Sequence, residues 1–301
     1  MVWYTSLAID HATRVANAFS EKFAFIKVDL WRAGTGQVLT KILAEARANR
    51  YPDVTTMSDL EIHIMKEKGL FGAYFSPERE AIPQGFKDKE GYWTNFYDNI
   101  QVIAYNTKLV PADRAPKNYQ DLLHPQWKGR MGMDSDEVAW VANMLRILGK
   151  EKGADFMRRL NAQNITFRNG HTLLAQLLAA GEISICVVCY NYRIEGMKLR
   201  GAPVEWVGGE PIIAEQHPLA LFARAPHPHA ARLFVDFSLS KEGGQKVMQE
   251  VNRVPARRDV EPSPPRLTRG LKIYPSDPTL ANHQPEILKQ YQELFPAALG
   301  R

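Results

Sequence analysis

At 301 residues, with 45% apolar and 24% charged side chains, the chain has the balance of a soluble globular protein long enough for about two domains. No run approaches the roughly 18 consecutive apolar residues of a membrane-spanning helix. The net charge is +5, but Lys and Arg are scattered, with no RNP-type aromatic strand, zinc spacing or basic helix; nucleic acid is not expected as a partner, and the charge implies only a mild attraction for anionic solutes.

Read in chain order, the first hundred residues alternate strand and helix. Val2–Thr5 reads as a short strand, and Asp10 as the N-cap of a helix carrying Val15, Ala18, Phe19 and Phe23 at helical spacing. Ile26, Val28 and Leu30 alternate as in a strand, and Gly34-Thr35-Gly36 turns into a helix with Val38, Ile42, Leu43 and Ala46 on one face. Residues 53–57 return as a strand, and Ser58 caps a helix that stops at Gly69, where a left-handed residue belongs. This order predicts a parallel sheet with helices on both sides.

Residues 71–95 are irregular, and the strand over 101–105 is expected to cross into a second lobe. Helices are predicted near 118–123, 135–149, 151–161 and 171–180, and strands near 130–133, 165–167 and 183–190. The return crossing falls at 219–223, followed by helices over 229–239 and 241–251. The expected organisation is therefore lobe 1 from 1–100 and 221–265, lobe 2 from 101–220, and a C-terminal helical segment, 266–301, packing on the body through a helix at Gln284–Leu294.

Cys186 and Cys189 lie in a β-branched run that reads as a buried strand. Residues three apart on a regular strand point to opposite faces, so the sulfurs are not expected to meet without distortion. Inert buried thiols are the favoured reading; a disulfide, a reactive pair and a metal role are the alternatives. No serine-hydrolase elbow, phosphate-binding Gly-rich loop or His-Glu-x-x-His helix is present. Gly34-Thr35-Gly36 is too short for a dinucleotide fingerprint, since position 39 is leucine, and His217, His227 and His229 are separated by prolines. Neither a catalytic role nor a cofactor is expected.

Val102-Ile-Ala-Tyr-Asn-Thr-Lys108 and Asn118-Tyr-Gln-Asp-Leu-Leu-His-Pro-Gln-Trp-Lys-Gly-Arg-Met131 resemble the hinge strand and following lobe of a type II periplasmic solute-binding protein, the receptor of an ABC importer. Val2-Trp-Tyr-Thr-Ser-Leu7, Trp31-Arg-Ala-Gly-Thr-Gly36 and Tyr51-Pro-Asp-Val-Thr-Thr-Met-Ser58 are similar to its first three strand–loop pairs. Gly85-Phe-Lys-Asp-Lys-Glu-Gly-Tyr-Trp93, Gly181-Glu-Ile-Ser-Ile-Cys-Val-Val-Cys-Tyr-Asn-Tyr192 and Phe234-Val-Asp-Phe-Ser-Leu-Ser-Lys-Glu-Gly-Gly244 continue the likeness over most of residues 1–260. Order and spacing together, more than any one motif, carry it, and they point to the ferric-ion, phosphonate and thiamine-binding-like branch. The resemblance implies two doubly wound α/β lobes joined by crossing hinge strands and closing over a small solute. It also implies a periplasmic or other extracytoplasmic monomer that docks on a membrane permease, its export leader having preceded Met1.

Ligands of doubly wound sheets gather beyond the carboxyl ends of the strands. Those ends carry Thr5, Ser6 and Leu7, then Gly34, Thr35 and Gly36, then Ser58, each leading into a helix whose N-terminal N–H groups favour anionic oxygens. The competing reading makes Ser6, Thr35 and Ser58 simple caps and turn formers. From the second lobe Tyr105, Asn106, His171, Tyr190 and Tyr192 are expected at the solute, with Arg168 beside them. The favoured guest is a small anion: a phosphonate, phosphate ester or carboxylate. Iron carriers of this branch show two adjacent tyrosines; here Asn191 and Tyr192 fall on those positions, or Tyr190 and Tyr192 after a register slip, so ferric ion held by Tyr190 and Tyr192 is the alternative.

Overall fold

The computed structural model describes residues 1–298; positions 299–301 of the expected C-terminal segment lie outside the described residues. The chain begins β1 (Val2–Thr5), α1 (Ile9–Lys22), β2 (Asp29–Arg32), α2 (Thr35–Arg47), β3 (Val54–Thr56) and α3 (Asp59–Glu67). It continues with β4 (Trp93–Asn106), β5 (Met131–Asp134), α4 (Val138–Leu148), α5 (Lys150–Asn161), β6 (Thr166–Arg168), α6 (His171–Ala180), β7 (Ile185–Tyr190) and α7 (Asn191–Leu199). The last part holds β8 (Val204–Val207), β9 (Ile212–Leu221), α8 (Pro228–Leu239), α9 (Lys246–Glu250), β10 (Val254–Pro255), β11 (Ile273–Pro275) and α10 (Gln284–Leu294). These elements form two compact units, one of residues 1–98 and 215–266 and the other of residues 99–214 and the described residues from 267 on. Both β4 and β9 are divided between them.

In unit 1, β1 lies between β2 and β3, parallel to both, and β9 runs antiparallel to β3 with Thr56 opposite Leu219. Helix α1 buries Ala12, Val15, Ala16 and Phe19, the i, i+3, i+4, i+7 stripe of an amphipathic helix. That stripe meets α8 through Phe19 and Phe234, ring centroids 5.1 Å apart, while Trp3 of β1 packs on the same Phe234 at 5.0 Å. The helix starts earlier than its sequence suggests: Ala8 is the N-cap and Asp10 sits in the first turn. Thr5 causes this, because its hydroxyl accepts the Leu7 N–H at 3.0 Å and turns the chain before Asp10 is reached.

Unit 2 has β5 between β6 and β7, all parallel, with β4 antiparallel to β7 and β8. Its core holds Tyr119, Trp140, Phe156 and Phe167, and the C-terminal segment adds Tyr291, Leu294 and Phe295 to the same cluster. Strand β11 pairs in parallel with the first residues of β9. Strand β4 is far longer than the 101–105 read from sequence. All of its residues are buried, so Thr94, Asn95, Asp98 and Asn99 interrupt the apolar signal without marking a solvent face.

Cys186 and Cys189 are joined in a disulfide, their Cα atoms 6.0 Å apart, which corrects the expectation that their sulfurs would not meet. Opposite them Val102 pairs with Cys189 and Ala104 with Cys186, so β7 spends three residues where β4 spends two. That bulge inverts the alternation and brings both side chains to one face. Both cysteines are fully buried. For so short a loop, chain entropy puts the stabilisation at about 2 kcal/mol. Urea unfolding with and without a thiol reductant should show that loss; coincident curves would mean the bulge alone holds the strand.

Candidate functional site

The carboxyl ends of β1, β2 and β3 form one edge of unit 1. Thr5 is fully buried; its hydroxyl donates to the Thr56 carbonyl at 3.0 Å and accepts the Leu7 N–H, stitching β1 to β3. Leu7 belongs to the core. Ser6 differs, because its hydroxyl oxygen is buried with no hydrogen-bond partner among the described residues. Gly34 is the N-cap of α2 and Ser58 that of α3, and neither these nor Ala8 of α1 closes its helix with a side-chain hydrogen bond. Instead the Thr35 and Ser58 hydroxyls lie 3.4 Å from each other, drawing the starts of α2 and α3 together. Gly36 is exposed and a side chain there would meet nothing within 4 Å.

Two features of this edge escaped the sequence reading. The first is Arg32, the last residue of β2, an exposed side chain whose Nε donates to the Leu7 carbonyl at 3.2 Å, with a terminal nitrogen 3.5 Å from the Ser6 carbonyl. Those carbonyls hold the guanidinium over the first loop. Its place at a strand end before Gly34 was the available signal. The second is two buried acids, Asp59 at the first position of α3 and Asp98 on β4. Asp59 is the first residue of that helix and its carboxylate accepts the Leu60 N–H at 2.9 Å. Asp98 of β4 is buried and accepts from the Asn95 amide at 2.8 Å. Burial, with Asp59 adding to it, raises the Asp98 carboxyl to a pKa of about 7.

In unit 2, Asp134, Arg168 and Tyr190 end the three parallel strands at one edge. Asp134 accepts the N–H groups of Asp136 and Gly170 at 3.1 and 2.9 Å, tying β5 to the start of α6. His171 opens α6 with Nε2 3.5 Å from Glu137 and 3.8 Å from Asp134, and its Nδ1 is buried without a hydrogen-bond partner among the described residues. The imidazole lies 4.0 Å from the Tyr190 ring, which stacks on Tyr192 at 6.1 Å and 18°. The acids behind this ladder reach further: burial and Glu137 together hold the Tyr291 hydroxyl well above its ordinary pKa, and it donates to the Ser135 carbonyl at 3.0 Å.

His171, Tyr190 and Tyr192 are thus brought together, whereas Tyr105 and Asn106 are placed elsewhere. Tyr105 is buried in the unit 2 core. Asn106 is spent on the backbone, donating to the Leu178 carbonyl at 2.7 Å and accepting the Lys108 N–H at 2.9 Å. Arg168 turns back on the Phe167 carbonyl at 2.8 Å. Asn191 is fully buried and its amide donates to the Leu267 carbonyl at 2.8 Å. Chemically, unit 1 offers N–H dipoles and a guanidinium to anionic oxygens, while unit 2 offers aromatic faces and an imidazole.

Residues 49–271 match the family model for bacterial extracellular solute-binding proteins. The chain belongs to this family. Members of this family are extracellular solute-binding proteins. Among curated relatives, the probable ABC transporter periplasmic-binding protein y4fP of Sinorhizobium fredii is 25% identical over 72% of this chain, which spans 63% of that relative. A putative 2-aminoethylphosphonate-binding periplasmic protein of Salmonella typhimurium is 25% identical over 76% of this chain and 70% of its own length. The periplasmic binding protein AfuA of Actinobacillus pleuropneumoniae, solved with fructose-6-phosphate bound, is 25% identical and superposes with a TM-score of 0.87 over 98% of each chain. The fold is therefore the type II periplasmic binding fold that the sequence resemblance implied, and the relatives are binding proteins rather than enzymes. Among the described residues no helix is long and apolar enough to cross a membrane.

Proposed function

We propose that this receptor captures a small organic anion, a phosphonate, phosphate ester or carboxylate, and hands it unchanged to the permease of an ABC importer. The acidic group of the solute rests at the unit 1 edge on Arg32 and the first-turn N–H groups of α1 and α2, with the hydroxyls of Ser6, Thr35 and Ser58 beside them. On unit 2, His171, Tyr190 and Tyr192 offer a solute aromatic faces and an imidazole. Arg32 carries the reading: an exposed guanidinium braced by two carbonyls, beside helix starts that no N-cap side chain closes, is suited to oxyanions. A 2-aminoethylphosphonate-binding relative and an AfuA structure with fructose-6-phosphate bound support a phosphorus-bearing anion within that class.

The test is a panel of fructose 6-phosphate, ethylphosphonate, 2-aminoethylphosphonate and succinate, followed by thermal unfolding and calorimetric titration. A binding member stabilises the protein by about 2.7 kcal/mol at a hundredfold excess over its Kd and is recovered intact. If no member binds, or if ferric ion binds with a visible phenolate band while the anions do not, the anion reading is wrong.

A further inference from the structure

We propose that the Cys186–Cys189 disulfide positions Tyr190: by holding the bulge in β7 it decides the face on which that ring leaves the strand. Its bearing on solute capture rests on the anion reading above; its bearing on the stack of His171, Tyr190 and Tyr192 does not. The pairing of β7 shows what the link controls. Ile185 and Cys186 lie opposite Met131 and Gly132 of β5 on one side, and opposite Tyr105 and Ala104 of β4 on the other. The start of β7 is therefore held from both sides. Among the described residues β7 pairs with β5 no further than Cys186, so the rest of the strand takes its register from β4.

Residues opposite each other on paired strands leave on one face, and successive residues of one strand leave on opposite faces. Tyr190 lies opposite Gln101 and Ile185 opposite Tyr105, so Tyr190 shares a face with Ile185 although the two are five residues apart. Cys186 and Cys189, opposite Ala104 and Val102, share the other face. Without the extra residue, Tyr190 would fall in step with Cys186 and leave on that other face. The link and regular pairing exclude each other. Residues three apart on an unbroken strand are about 10 Å apart and on opposite faces, whereas the Cα atoms of this pair are 6.0 Å apart.

What the disulfide secures is a set of ring contacts. Tyr190 places its ring 4.0 Å from that of His171 and stacks on Tyr192 at 6.1 Å. Tyr192 has its own footing, because it belongs to α7 and the preceding Asn191 is tied to the Leu267 carbonyl at 2.8 Å. His171 is likewise placed by α6, whose start Asp134 holds through the Gly170 N–H at 2.9 Å. Of the three rings, only that of Tyr190 takes its place from the bulge. Opening the link frees the extra residue, which is otherwise left out of the ladder, and separates Tyr190 from both neighbours while those two stay where they are.

The experiment opens the link in the full chain by two routes. Cys186→Ala with Cys189→Ala removes both sulfurs, and dithiothreitol reduces the wild-type chain, closing to its own cyclic disulfide as the two cysteines become thiols. Circular dichroism follows the fold; its loss in both forms overturns the proposal, because the link then holds the whole unit and not one ring. In proton NMR at one pH and without solute, the His171 ring signal is assigned by its absence from His171→Gln. Tyr190→Leu gives the position of that signal without the neighbouring ring. Opening the link should move the signal towards that position, and an unmoved signal overturns the proposal. With the tightest binder of the panel, opening the link should raise the Kd about three- to tenfold, as for loss of one aromatic contact. In a Tyr190→Leu background it should change the Kd no further. A moved signal with an unchanged Kd overturns the bearing on capture, and equal losses in both backgrounds overturn the route through Tyr190. If no panel anion binds any of these proteins, the anion reading fails, and the His171 signal still decides what the disulfide positions.

Discussion

Arg32→Ala is expected to weaken binding of the anion by about ten- to a hundredfold. A hydrogen bond to a charged group contributes about 1.5–3 kcal/mol, and about 1.4 kcal/mol is one decade in Kd. Stability should stay within about 1 kcal/mol of wild type, because the side chain is exposed and its partners are the loop carbonyls of Leu7 and Ser6, which water can satisfy. Arg32→Lys should fall between the two, keeping the charge and losing the planar fork. Calorimetric titration and urea unfolding of the three proteins separate these effects. Equal Kd values for wild type and Arg32→Ala would remove the guanidinium from the site.

Asp53→Ala should do the reverse, costing about 3–4 kcal/mol of stability while leaving the Kd of the folded protein close to wild type. Asp53 is completely buried. Its carboxylate accepts the Val2 and His227 N–H groups, each at 2.6 Å, and faces His227 Nδ1 at 3.0 Å. One side chain thereby joins β1, the start of β3 and the start of α8. Charge-assisted bonds are the strong ones, and deleting the acceptor strands donors that were matched to it. Asp53 precedes β3 while Ser58 follows it, so the carboxylate sits at the far end of that strand from the proposed anion edge. Asn at this position keeps one acceptor and should recover part of the loss. A loss below about 1 kcal/mol in urea unfolding would show that water replaces the carboxylate without penalty.

How much of the site was legible depended on how local its causes are. Thr5, Gly34 and Ser58 could be placed at one edge because strand–turn–helix alternation is written in neighbouring residues, and parallel pairing of β1, β2 and β3 then puts their ends side by side. His171, Tyr190 and Tyr192 followed the same logic in unit 2. Asn106 shows the opposite case. A polar residue at a strand end looks the same in sequence whether it meets a solute or the carbonyls at the end of α6. The disulfide was hidden because parity along a strand assumes regular pairing, and the bulge against β4 depends on a partner more than eighty residues away, at Val102 and Ala104.

From its sequence alone the chain determined its class, its alternating order of strands and helices, and the helix starts at which an anion could rest, since each follows from short-range spacing and backbone chemistry. Tertiary structure decided which of those groups remain available. It anchored Arg32 on the first loop, consumed Thr5 and Asn106 in backbone bonds, closed Cys186 on Cys189, and buried Asp98 with Asn95 as its donor. Each outcome is a competition between distant groups for the same donors, acceptors and space, and only packing determines which partner wins.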